Sequence, residues 1–143
     1  MGIQEIMSTD LVTISPGGNL QEAVTRMLDE DVGCVVVEES DEPAGIITET
    51  DVLAVGTTFE NPFSAIPVSR AMSEDPVTIG PETSPEEAVE TMKQYGIKKL
   101  PVVEDGSLVG VVTLTDLVYH QRDLIEEAEE LERKQPQVER PPK

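Results

Sequence analysis

Between residues 20 and 28, Leu20, Ala23, Val24, Met27 and Leu28 fall at i, i+3, i+4, i+7 and i+8, with polar and charged residues between them. That spacing predicts a helix with a single apolar stripe, and Asn19 stands where its N-cap belongs. Ahead of it, residues 12–14 read as a brief strand closed by Pro16, and a short helix ends near Met7. Behind it, residues 34–38 and 44–47 are apolar runs of strand length. A polar start, Thr48-Glu49-Thr50-Asp51, then opens a second helix.

The same succession returns further along. A short helix ends near Met72, and residues 77–79 form a strand closed by Pro81. Ser84 caps a stripe of Pro85, Ala88, Val89 and Met92. The runs 100–103 and 108–112 are joined through Asp105-Gly106, a strong hairpin signal. Thr113-Leu114-Thr115-Asp116 opens the closing helix, whose pattern continues through Leu124, Ile125, Ala128 and Leu131. The order is β-α-β-β-α, twice.

A shift of 65 residues lays 7–53 over 72–118 without a gap and gives 17 identities in 47 positions. Chance does not produce this, so the chain is a tandem duplication. Repeat 1 is expected at 1–56, a connector at 57–71 and repeat 2 at 72–120. A C-terminal helix follows at 121–134, then a Pro-rich, charged tail at 135–143 that is expected to be disordered. One repeat buries too little apolar surface to stand alone. The two are therefore expected to pack as one pseudo-two-fold body of mixed α/β (α+β) class.

Composition narrows the function. The 143 residues carry a net charge of −19, which argues against DNA or RNA, since these require a basic face. So acidic a surface suits a cytoplasm full of salt, and the expectation is a cytoplasmic protein from a halophilic archaeon, with an unusually acidic mesophilic protein as the second explanation. No apolar run is long enough to span a membrane, and the N-terminus lacks a secretion-signal pattern. Cys34 is the sole cysteine and reads as a core residue; His120 is the sole histidine. Neither has partners at ligand spacing, and no nucleophile–base pair is found, so no metal, cofactor or catalytic residue is expected.

Two features carry chemistry. Thr113, Thr115 and Asp116 crowd a helix start, and Thr48, Thr50 and Asp51 repeat them. Capping alone explains one such motif; the duplication asks for more. Two of the five lysines, Lys98 and Lys99, stand together at the mouth of a buried strand. They either guard a sheet edge or meet an anion.

With "MSEDPVTIGP" in front, "GIKKLPVVEDG" between and "GVVTLTD" at the end of a duplicated unit, residues 2–120 resemble a pair of CBS domains, also called a Bateman module. The resemblance implies tandem repeats with clefts for adenosine-containing ligands: AMP, ADP, ATP or S-adenosylmethionine. Carried over by position, Asp116 grips the ribose diol, and Thr113 and Thr115 touch ribose or phosphate. The backbone of Thr78 and Ile79 reads adenine, and Lys98 and Lys99 face phosphates. Repeat 1 keeps Thr13, Ile14, Thr48, Thr50 and Asp51 but has Gly33 and Cys34 in place of the lysines. It is the weaker site. The resemblance further implies a homodimer formed through the helices and a regulatory role exerted on a separate effector protein. The alternative is a structural or interaction dimer that binds no ligand.

Overall fold

The computed structural model describes residues 1–134; the tail expected at 135–143 lies outside the described residues. Local chemistry explains most elements. Strand β1 (Thr13–Ile14) leads to helix α1 (Leu20–Glu30), where Asn19 Oδ1 accepts the Glu22 N–H at 2.9 Å. Strands β2 (Cys34–Glu39) and β3 (Glu42–Thr48) form a hairpin whose turn residues, Ser40 and Asp41, both have positive φ. Paired positive φ values are what a two-residue loop needs to match the strand twist. Helix α2 (Glu49–Thr58) follows directly.

The second copy repeats the design. After α3 (Val68–Ala71) and β4 (Ser73–Glu74) comes α4 (Pro85–Tyr95), capped by Ser84. Strands β5 (Lys99–Glu104) and β6 (Ser107–Thr113) turn through Asp105 and Gly106, again both left-handed. Both hairpins carry a bulge at the same place, after Val37 and after Val102. Helix α5 is one continuous element, Leu114–Lys134. The strand expected at 77–79 reduces to a single parallel bridge between Ile79 and Val102.

The two copies are interleaved. Strand β4, from the front of the second copy, pairs with β3 of the first, setting Ser73 opposite Ile46 and Glu74 opposite Gly45. Reciprocally, Ser8 pairs with Val111, exchanging N–H···O bonds of 2.9 and 3.0 Å. Gly45 and Gly110 permit these approaches. A Cβ on either would lie 2.5 Å from the Sδ of Met72 or Met7, respectively.

Lead segments are exchanged as well. The Ile3 N–H donates to Thr83 O at 2.7 Å, and Ile3 is buried with Ala88, Met92, Leu100 and Val112. The Val68 N–H donates to Gly18 O, and Ile66, Val68 and Ala71 complete the core around Leu20, Val35 and Ile47. The 57–71 connector is thus a structural part of the first core. Each copy is finished by the residues that precede the other.

The apolar stripes divide in two. Leu20, Ala23 and Met27 are buried, as are Ala88 and Met92, but Leu28 is 76% and Val89 42% exposed. The sheet covers only one side of each stripe, and the outer positions remain at the surface.

Candidate ligand clefts

Two cavities open where the hairpins meet the starts of α2 and α5. One, of about 420 Å³, is bordered by Thr113, Thr115 and Asp116; the other, of about 530 Å³, by Thr48, Thr50 and Asp51. Both volumes suit a small organic ligand.

Apart from Val111 and Lys99 in the first and Ile46 in the second, the rest of each wall comes from the opposite copy. Ser8, Asp10, Leu11, Val12, Gly33 and Cys34 face Asp116. Asp75, Pro76, Val77, Tyr95, Lys98 and Lys99 face Asp51. The strand exchange dictates this arrangement. Ser8 and Ser73 pair two residues before Thr113 and Thr48, so each lead segment borders the other copy's motif. This corrects the same-copy grouping expected above. Lys98 shares a cavity with Asp51, not with Asp116, while Lys99 lines both cavities.

Capping is real in both motifs. Asp116 Oδ2 accepts the Thr113 N–H at 2.9 Å, and Thr113 Oγ1 accepts the Asp116 N–H at 3.1 Å. Asp51 Oδ2 accepts the Thr48 N–H at 2.8 Å and the Thr48 hydroxyl at 3.0 Å. The backbone thereby occupies one oxygen of each carboxylate. Among the described residues Oδ1 has no partner in either case, and both side chains remain half-buried at a cavity wall. A carboxylate has lone pairs enough for both tasks.

A family model described as "CBS domain" matches residues 3–57 and 60–126. The chain belongs to the CBS-domain family. It is 36% identical over 119 residues to the CBS domain-containing protein YhcV of Bacillus subtilis, covering 83% of this chain and 84% of that protein. An uncharacterized conserved protein from Pyrococcus horikoshii superposes with a TM-score of 0.77 at 31% identity, over 85% of this chain and 92% of that one. CBSX2, solved in complex with AMP, shares the fold at a TM-score of 0.73 and 20% identity, over 86% of this chain and 97% of that one.

Within this CBS pair, the adenine-reading role assigned to Thr78 and Ile79 meets a sheet already in place. The Ile79 N–H donates to Pro101 O and its carbonyl accepts from Val103 N–H, while Thr78 is exposed and borders neither cavity. In the first copy, Thr13 O accepts from Arg26 at 2.6 Å and Ile14 is buried in the core. The segments that border the cavities lie slightly earlier, at 10–12 and 75–77. Their signal was in the alignment, where Asp10 matches Asp75 and Val12 matches Val77. The copies also differ at their backbones. Val12 O accepts from Val36 N–H at 3.1 Å, but Pro101 stands at the corresponding position and has no N–H to give to Val77.

Charge separates the two clefts. The Asp116 cleft is lined by Asp10, Asp31, Glu49 and Asp116 with Lys99 as its cation. The Asp51 cleft is lined by Asp51, Glu74 and Asp75 with Lys98 and Lys99. Cys34, expected as a core residue, is half-buried in the Asp116 cleft. Burial pushes its thiol up; nearby Lys99 opposes the shift and Asp116 adds to it. Among the described residues no group of three or more His, Cys, Asp or Glu is placed to hold a metal, and no helix is long and apolar enough to cross a membrane.

Proposed function

We propose that this CBS pair is a regulatory sensor of adenosine-containing ligands that acts on a separate effector protein. The observation that carries the reading is the Oδ1 of Asp51 and of Asp116, each without a partner among the described residues and each sharing a ligand-sized cavity with two threonines. A ribose diol offers two donors to such an oxygen, and a charge-assisted bond there is stronger than a neutral one. The Asp51 cleft, with Lys98, Lys99 and the Val77 carbonyl, suits AMP, ADP or ATP. The Asp116 cleft, richer in carboxylates, suits an uncharged or cationic adenosyl compound such as S-adenosylmethionine. That CBSX2 was solved with AMP supports the ligand class.

Calorimetry with AMP, ADP, ATP and S-adenosylmethionine in molar KCl tests the reading. At least one ligand is expected to bind at micromolar concentration. Silence from all four, in folded protein, would favour the structural or interaction dimer instead. That second reading has its own support in the exposed Val89 and Val118, which border one shallow groove between α4 and α5, and in the exposed Leu124 and Ile125 further along α5.

The proposed cytoplasm of a halophilic archaeon has a separate test. Self-repulsion at −19 charges is screened as salt is added. The melting temperature is expected to rise by roughly 10 °C between 0.1 and 2 M KCl, equivalent to a few kcal/mol for a domain of this size. A flat profile would identify an acidic protein adapted to ordinary salt.

A further inference from the structure

Among the described residues, Lys99 is the one that lines both cavities. It opens β5, half-buried, at the point where the two copies meet. Gly33 on the other copy makes room there for two side chains: a Cβ on Gly33 would lie 2.7 Å from Glu49 Oε1 and 3.5 Å from both Cε and Nζ of Lys99, so the ammonium rests on the Asp116 side, near the Glu49 carboxylate. Its counterpart in the first copy is Cys34, too short and uncharged to do the same. Lys98 is exposed and borders only the Asp51 cleft. No ion pair holds Lys99 in place among the described residues.

Building on the adenosine reading above, we infer that Lys99 is a shared cation that couples the two clefts, so that a phosphorylated ligand in one disfavours a phosphorylated ligand in the other. The lysine stem is flexible and its ammonium is a compact point charge. Phosphates in the Asp51 cleft draw it across. The Asp116 cleft is then left with Asp10, Asp31, Glu49 and Asp116 and no cation, a poor host for an anion and a better one for an uncharged or cationic adenosyl ligand. Coupling of this kind is reciprocal, so a phosphorylated ligand held first by the Asp116 cleft weakens the Asp51 cleft equally. The module therefore favours mixed occupancy over double occupancy by nucleotides.

The test titrates ADP and, separately, adenosine into wild type, Asp51→Ala and Asp116→Ala in 1 M KCl. At that salt the Debye length is about 3 Å, so through-space repulsion between ligands is screened. Each single-cleft variant reports one cleft alone. The second ADP on wild type is expected to bind about 10-fold more weakly than the weaker single-cleft variant, within the usual range of coupling between sites. Adenosine should show no such deficit. Repeating the set with Lys99→Met, which keeps the stem and removes the charge, should bring the ADP deficit within about 2-fold of none. Independent ADP binding in wild type, with both single-cleft variants active, overturns the coupling while leaving the adenosine reading intact. A deficit that survives Lys99→Met also overturns it. If neither single-cleft variant binds ADP or adenosine, the adenosine reading falls and the coupling with it.

Discussion

Ile3→Ala is expected to destabilise the protein by about 3 kcal/mol, measured by urea unfolding, although Ile3 lies ahead of residues 7–53, the stretch that repeats. The side chain is fully buried, and its neighbours Ala88, Met92, Leu100, Val102 and Val112 all belong to the second copy. Truncation leaves a cavity that those residues cannot close, because the 3-10 turn Ile3–Glu5 is pinned to Thr83 and Pro81 by backbone hydrogen bonds. The symmetric change, Val68→Ala, removes a smaller side chain from the first core and should cost about 2 kcal/mol. Hydrogen exchange would show where the damage falls. Ile3→Ala should raise exchange first in α4, β5 and β6, and Val68→Ala in α1, β2 and β3. A loss below about 1 kcal/mol for Ile3→Ala would mean that the N-terminal segment is an attachment and not part of the second core.

Local physics made much of the fold legible. The caps at Asn19 and Ser84 and the hairpin at Asp105-Gly106 each depend on residues within a few positions of one another. The exchange of lead segments depends on pairs such as Ser8 with Val111 and Ser73 with Ile46, and no local pattern encodes those. Periodicity places Leu28 and Val89 on an apolar face but does not say whether a sheet or another chain will cover them. The site shows the same division. Asp51, Asp116 and their threonines were legible because duplication singled them out, and Lys98 because it was a rare cation. Their grouping was not, since it follows from the crossing of the two copies. The resemblance implies an adenine-reading role for Thr78 and Ile79, whereas Pro76 and Val77 border the cavity and the Ile79 amide is committed to the sheet.

The grouping itself yields the sharpest expectation for the clefts. In an Asp116→Ala background, which leaves the Asp51 cleft as the working site, Lys98→Ala should weaken ADP by about 10-fold and leave adenosine within 2-fold. A hydrogen bond between charged groups contributes roughly 1.5–3 kcal/mol, and adenosine has no phosphate to lose it. In an Asp51→Ala background, the same Lys98→Ala change should leave ADP unaltered, because Lys98 borders only the cleft already disabled. Each aspartate substitution also removes a capping bond and should cost about 1 kcal/mol of stability. Unfolding curves must therefore show that both backgrounds remain folded. Sites built each from a single copy predict the reverse, with Lys98 silent beside Asp116→Ala and active beside Asp51→Ala. Strand exchange forbids that result, because Ser73 pairs beside Thr48 and carries the second copy's wall, Lys98 included, to the front of Asp51.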